Sequence, residues 1–140
     1  MSNASSFQVV SSFDDFLCSR SETQRSAIKP FGKVGKYSIY THEFENLCLK
    51  EIESIEENSL LIIDEIGKME LLSQRFEMAI KNLLVTNKNL KILATVPLKS
   101  PTSLIDQLKT HPKSQLFHIT KSNRDEIFQN VVQATKNLFV

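Results

Sequence analysis

The 140-residue chain has the length of one ordinary domain. Its share of hydrophobic residues (41%) and charged residues (24%) is that of a globular protein, which excludes a disordered chain. The 17 Lys and Arg residues nearly balance the 16 Asp and Glu residues, so no strong field attracts nucleic acid or an anionic membrane, and we expect neither partner.

Predicted strands and helices alternate along the chain. In order, they are a strand at Phe7–Ser11, a polar loop over Phe13–Lys33, a strand at Lys36–Tyr40, a helix beginning at Thr41, a strand at Leu60–Asp64, a helix with an apolar stripe (Phe76, Ala79, Ile80, Leu83, Leu84), a strand at Lys91–Val96, a helix at Ser103–Thr110, a strand at Leu116–Thr120, and a helix capped by Ser122 with Ile127, Val131, Thr135 and Leu138 on its inner face.

Two of these segments, Leu60–Asp64 and Lys91–Val96, carry continuous aliphatic runs instead of an alternating pattern. Such runs are typical of strands covered on both faces, so we expect both segments among the central strands. Strand–helix alternation predicts an α/β domain with a mainly parallel sheet and helices on both sides. Ligands of such sheets bind at the carboxyl ends of the strands.

The cysteines and the lack of targeting signals indicate a cytoplasmic protein. Cys18 and Cys48 lack metal-site spacing, and we expect reduced thiols, with one disulfide as the alternative. The three histidines are scattered, which disfavours a zinc site. The amino-terminal residues contain no apolar signal core, and the longest apolar run, Leu60–Ile63, is too short to cross a membrane.

The stretch Leu60–Glu70 (LLIIDEIGKME) carries the clearest chemical pattern, because two carboxylates follow its aliphatic run. This is the Walker B form of nucleoside triphosphatases. In that interpretation Asp64 holds Mg²⁺, usually through water, and Glu65 orients or deprotonates the attacking water. The alternative is a strand end with two solvated acids.

Further motifs resemble one family. They are IDEIGKMEL (Ile63–Leu71) followed by Ser73 and Phe76, VGKY (Val34–Tyr37) before Phe44 and Glu45, ILATVP (Ile92–Pro97), HITKSNRDEI (His118–Ile127) and SFQVVS (Ser6–Ser11). In this order they resemble the P-loop nucleoside-triphosphatase family that includes the cancer-related nucleoside triphosphatase and its thermophilic relatives. The resemblance implies a three-layer P-loop fold and Mg²⁺-dependent cleavage of the β–γ bond of ATP- or GTP-like nucleotides.

The resemblance also implies roles for residues outside the strand end. Asn123 and Arg124 are expected near the nucleotide, although Arg124 could equally pair with Asp125. Lys68 could neutralise developing phosphate charge, although pairing with Glu65 or Glu70 is the alternative we prefer. Arg75 is expected on a solvated helix face.

The sequence departs from the family at one point. No GxxGxGK[ST] phosphate loop is present, because the Gly-Lys pairs at Gly32, Gly35 and Gly67 are followed by Val, Tyr and Met. We therefore expect residues 1–140 to be a single, apparently N-terminally truncated domain without the first strand–P-loop–helix unit. The loss should leave Leu60–Asp64 with an unpaired edge that a second polypeptide, a symmetry mate or a rearranged local strand could fill.

Two functions remain open at this point. One is a nucleoside-triphosphate hydrolase that is weak or inactive as this chain alone. The other is an inactive descendant that binds a protein partner, or a second copy, through the open sheet edge. A helicase-loader ATPase fits IIDE but not GKMEL or TKSNR.

Overall fold

The computed structural model of the chain describes residues 6–11, 32–34, 37–39, 41–86, 89–99 and 102–140. In chain order the elements are β1 (Ser6–Ser11), β2 (Gly32–Val34), β3 (Tyr37–Ile39), α1 (Thr41–Glu53), β4 (Leu60–Ile63), α2 (Gln74–Val85), β5 (Lys91–Val96), α3 (Ser103–Thr110), β6 (Ser114–His118) and α4 (Arg124–Asn137). A short 3₁₀ helix, Glu70–Leu72, precedes α2. The single-domain prediction for residues 1–140 includes residues outside these ranges and stays a prediction.

Four parallel strands form the main sheet in the order β4-β5-β1-β6. The predicted α/β class with a mainly parallel sheet is therefore confirmed. β5 is a central strand, as expected. β4 pairs with β5 alone within the described ranges, so the prediction that Leu60–Asp64 lies among the central strands is wrong for this part of the chain. The other expectation, an unpaired edge left by the missing phosphate-loop unit, stays a prediction.

The structure corrects three local predictions. β2 pairs antiparallel with β3, although Gly32 and Lys33 were expected in a loop. The prediction missed β2 because a three-residue strand is too short to show the alternating pattern of a strand. β6 begins and ends two residues before the predicted strand. Ser122 does not cap the last helix; the cap is Asn123, and the Ser122 hydroxyl lies 3.0 Å from the Thr120 hydroxyl.

The core lies where α2, α3 and the loop after β4 pack against β5. The predicted α2 stripe points inward, with Phe76, Ile80 and Leu83 buried. The rings of Phe44 on α1 and Phe76 meet edge to face at 5.1 Å between centroids. The other buried hydrophobic residues of this cluster are Ile66, Leu90, Ile92, Ala94, Val96, Leu104, Ile105 and Leu108. α4 contributes no fully buried residue, and its predicted inner face is only half-buried.

The structure bears on two further expectations, reduced cysteines and no membrane-spanning segment, only within the described residues. Cys48 is a free thiol beside the core, and burial, assisted by the nearby Glu45 carboxylate, raises its pKa above the ordinary value. Cys18 lies outside the described residues. Within those residues, the longest apolar helical stretches fall short of what a membrane span requires.

Leu104 and Leu47 provide a matched test of this core. Both are helical leucines, but Leu104 is fully buried and Leu47 is 66% exposed. We expect Leu104→Ala to lower the free energy of unfolding by about 2–5 kcal/mol, because it leaves a cavity. Leu47→Ala should change it by less than about 0.5 kcal/mol. Urea unfolding followed by circular dichroism measures both, and equal losses would contradict the packing described here.

Candidate active site

The two predicted acids, Asp64 and Glu65, follow β4 directly, and both are exposed. Glu65 adopts a left-handed backbone conformation with φ of 78°, and its N–H donates to the Ile63 carbonyl at 3.1 Å. This conformation costs roughly 1–2 kcal/mol for a residue with a side chain. A strained residue at a strand's carboxyl end is often part of a functional site.

The neighbouring residues hold this strained turn in place. Ile66 is 1% exposed, and its N–H donates to the Thr95 carbonyl on β5 at 2.8 Å. The Gly67 N–H donates to the Glu70 carboxylate at 3.0 Å. A Cβ at position 67 would lie 2.7 Å from Glu65 Oε1, so the glycine leaves the space that the Glu65 carboxylate occupies.

Lys68 is exposed on the same loop. Glu70, one of its expected partners, instead accepts the Gly67 N–H through its carboxylate. The loop therefore presents two acids and one lysine to solvent, on a backbone held by β5 and by Glu70.

A buried polar cluster joins α1 to the start of α2. Ser73 is 2% exposed; its hydroxyl oxygen accepts from the Phe76 N–H at 3.0 Å and donates to Glu45 Oε1 at 2.5 Å. Arg75 Nη1 lies 3.3 Å from Glu45 Oε2, but its side chain is 69% exposed, so this ion pair contributes little. Sequence patterns did not reveal the Glu45–Ser73 contact, because 28 residues separate the partners.

The second predicted pair lies just beyond β6. Asn123 Oδ1 accepts the Thr120 N–H at 2.7 Å, and Asn123 Nδ2 donates to the His118 carbonyl at 3.1 Å. Asn123 therefore clamps the end of the strand. Arg124 is 68% exposed, and its Nε lies 3.5 Å from the carboxylate of Asp125, which is 95% exposed. Such an exposed pair leaves the guanidinium accessible to a ligand.

The pairs Asp64–Glu65 and Asn123–Arg124 both follow the carboxyl ends of their strands, which lie on the same side of the sheet because β4 and β6 run parallel. β4 and β6 are the outer strands of the four, so three strand spacings, about 14 Å in all, separate them. A ligand that touches both pairs must have chemically distinct ends.

The donor set limits how a metal can bind here. Among the described residues, no group of three or more His, Cys, Asp and Glu side chains is placed to hold an ion. Mg²⁺ needs fewer protein ligands, because it keeps several waters and commonly takes one or two carboxylates plus substrate phosphates. Asp64 and Glu65 fit that mode of binding. They do not form a cage in which the protein supplies every ligand of the metal.

Two open grooves lie away from these acids. One, of about 410 Å³, runs between α1 and α2 beside Leu49 and Met78. The other, of about 500 Å³, runs between β6 and α4 beside Phe117 and Leu138. The four predicted site residues at the strand ends line neither groove.

Comparison with known proteins identifies the family. The family model described as NTPase matches residues 6–132. The chain belongs to this nucleoside-triphosphatase family. It is 30% identical over 105 residues to the nucleoside-triphosphatase THEP1 of Thermotoga petrophila, covering 74% of this chain and 57% of the relative. It is 31% identical over 112 residues to the human cancer-related nucleoside-triphosphatase, covering 75% and 58%.

Solved structures of the family share the fold. The crystal structure of THEP1 from Aquifex aeolicus matches with a TM-score of 0.69 and 27% identity, covering 78% of this chain and 66% of that one. The solution structure of a human cancer-related nucleoside triphosphatase matches with a TM-score of 0.61 and 30% identity, covering 79% and 64%. The chain thus spans a little under three fifths of the length of the two curated relatives described above.

The Glu45–Ser73 contact can be tested with paired substitutions on α1. We expect Glu45→Ala to lower the free energy of unfolding by about 1–3 kcal/mol, because the buried Ser73 hydroxyl loses its acceptor. Glu51→Ala, at an exposed position of the same helix, should change it by less than about 0.5 kcal/mol. Urea denaturation measures the difference, and indistinguishable midpoints would rule out the contact as a stabilising one.

Proposed function

We propose that the chain carries the metal-and-water half of a nucleoside-triphosphate hydrolase site that cleaves the β–γ bond of ATP- or GTP-like nucleotides. The observation that carries the proposal is the pair of exposed carboxylates, Asp64 and Glu65, on a strained turn at the carboxyl end of β4. Membership of the nucleoside-triphosphatase family supports the substrate class.

In this proposal Asp64 would hold Mg²⁺ through water as a Walker B carboxylate, and the ion would supply positive charge for the phosphates. Glu65 orients the attacking water and takes its proton. The water oxygen bonds to the γ-phosphorus while the bond to the β–γ bridging oxygen breaks, which gives a nucleoside diphosphate and inorganic phosphate.

The other predicted residues act at the substrate's two ends. Lys68 projects from the same loop and supplies positive charge toward the phosphates. Arg124 contacts the nucleotide from the far side of the rim, through its base or a phosphate. Asn123 supports Arg124 indirectly, since its side-chain amide already binds Thr120 and His118.

Hydrolysis by these 140 residues alone should be weak, because the sequence contains no GxxGxGK[ST] loop. Three charge-assisted backbone hydrogen bonds to phosphate are worth roughly 1.5–3 kcal/mol each, or about 5–9 kcal/mol together. Their absence lowers nucleotide affinity by ~10³–10⁶. Positioning supplies nearly all of phosphoryl-transfer catalysis, so half a site yields far less than half the rate.

A second function is supported by a different observation. Every residue of β4 is Leu or Ile, yet none is fully buried and Ile62 is 64% exposed. An inactive descendant of the family that binds a protein through β4, on the side away from β5, would expose apolar residues of β4 in this way. Robust Glu65-dependent hydrolysis by the chain would argue against this second function.

The hydrolase proposal is tested with Glu65→Gln, which removes the proton acceptor and nearly keeps the shape. We expect any phosphate release by the purified chain to disappear in this variant. It should persist in Glu57→Gln, at an exposed acid before β4. Phosphate release with Mg²⁺ and ATP or GTP is the measurement. Robust turnover that survives Glu65→Gln would place the chemistry elsewhere. Recovery of activity on adding a polypeptide with a GxxGxGK[ST] loop would favour a split or truncated enzyme.

Metal binding is tested separately from turnover. We expect Mg²⁺ to tighten binding of a fluorescent, non-hydrolysable nucleotide to the chain, and Asp64→Asn to remove that increment while metal-free binding stays the same. Asp106→Asn, at an exposed acid on α3, should keep the increment. Fluorescence anisotropy titrations at millimolar protein suit the weak affinity. An increment unchanged in Asp64→Asn would refute the assigned metal ligand.

A further inference from the structure

The loop after β4 closes on itself around Gly67, which is buried. Both backbone polar groups of this glycine have partners. Its N–H donates to Glu70 Oε2 at 3.0 Å, and its carbonyl accepts the Leu71 N–H at 3.1 Å. A buried N–H that is left without an acceptor costs about 1–3 kcal/mol. The Glu70 carboxylate therefore holds the Gly67 peptide in one orientation.

Glu70 reaches Gly67 through local helix geometry. It is the first residue of the 3₁₀ helix Glu70–Leu72 and lies three positions after Gly67. A Glu or Gln side chain that turns back to the N–H three residues earlier makes the return contact of a capping box. The contact needs an acceptor oxygen at the right reach, which both Glu and Gln have, and it does not need a negative charge.

Gly67 in turn lies against the side chain of Glu65. A Cβ built on Gly67 would lie 2.7 Å from Glu65 Oε1 and 3.1 Å from both Cγ and Cδ of Glu65. The Glu65 side chain thus folds back beside the Gly67 Cα. The place of the Glu65 carboxylate consequently depends on the place of the Gly67 peptide.

Two anchors hold this part of the loop. The first is β5, because the Ile66 N–H donates to the Thr95 carbonyl at 2.8 Å and the Ile66 side chain is 1% exposed. The second is Glu70, which binds the Gly67 N–H. Loss of the Glu70 acceptor would keep the anchor at Ile66 and release the one at Gly67, against which the Glu65 side chain lies.

We propose that Glu70 is a positioning residue of the candidate active site. By holding the Gly67 N–H, its carboxylate fixes the backbone beside which Glu65 folds, and so determines where the Glu65 carboxylate lies relative to Asp64. Glu70 acts through Gly67 and not on the substrate. The consequence for hydrolysis rests on the proposed function, in which Glu65 orients the attacking water, whereas the effect on the Glu65 side chain does not.

Amide exchange at Gly67 tests the first step, on the full 140-residue chain without magnesium or nucleotide. We expect Glu70→Ala to accelerate exchange of this N–H about tenfold or more, because the N–H loses its acceptor. Glu70→Asp should do the same, since it keeps the charge but shortens the reach. Glu70→Gln should keep the exchange rate close to that of the unsubstituted chain.

Nuclear magnetic resonance measures these rates, and circular dichroism checks that each variant is folded. The control is Glu126→Ala, at an exposed acid in the first turn of α4, which should leave Gly67 exchange unchanged. Glu70→Asp replaces Glu70→Ala if the alanine variant does not fold. Gly67 exchange that is equally slow in the folded Ala or Asp variant and in the unsubstituted chain would overturn the proposal.

The carboxyl carbon resonance of Glu65 tests the second step, which a merely stabilising role of Glu70 would not affect. We expect this resonance to move in Glu70→Ala and Glu70→Asp, and to stay in place in Glu70→Gln and Glu126→Ala. It should also move in Gly67→Ala, whose methyl group would occupy the space beside Glu65 Oε1. A resonance that stays in place in Glu70→Ala and Glu70→Asp would contradict the positioning role, as would an equal movement in Glu70→Gln.

Phosphate release distinguishes failure of this proposal from failure of the proposed function. Where the chain releases phosphate, alone or with a polypeptide that carries a GxxGxGK[ST] loop, Glu70→Ala should lower kcat about tenfold or more and leave KM nearly unchanged. Glu70→Gln should retain kcat. Release that survives Glu65→Gln refutes the proposed function, and the two resonance measurements then still decide the role of Glu70. If Glu65→Gln abolishes release and Glu70→Ala leaves kcat unchanged, Glu70 is not a positioning residue.

Discussion

The burial of β5 between two parallel neighbours is the constraint on which the rest of the structure depends. β5 pairs with β4 on one side and β1 on the other, and four of its six residues are buried. Parallel pairing through β5 and β1 sends the carboxyl ends of all four strands to one rim. The acids after β4 and the Asn-Arg pair after β6 therefore share that rim.

The turn after β4 shows how core packing sustains the candidate site. A left-handed Glu65 costs roughly 1–2 kcal/mol. Burying the next residue, Ile66, contributes about 1.5–3 kcal/mol, and its N–H gains a bond to β5 as well. Packing thus offsets the strain and presents both carboxylates to solvent. Gly67 completes the arrangement, because any side chain there would displace the Glu65 carboxylate.

The sequence by itself determined the element types, the family and the residues at the strand ends. Aliphatic runs and helical stripes depend on local periodicity, so α2 and β5 were predictable, and the Asp-Glu pair after an aliphatic run carried its own chemical meaning. Tertiary structure decided what depends on distant partners. An aliphatic run indicates that a strand prefers burial, but only its neighbours determine whether it is central, and the described part of the chain leaves β4 at an edge. Likewise, Asn123 became a strand clamp because of where its amide points, and Glu45 became an anchor for Ser73 because folding joined residues far apart in sequence. Side-chain direction and strand order follow from packing of the whole chain, which no local pattern encodes.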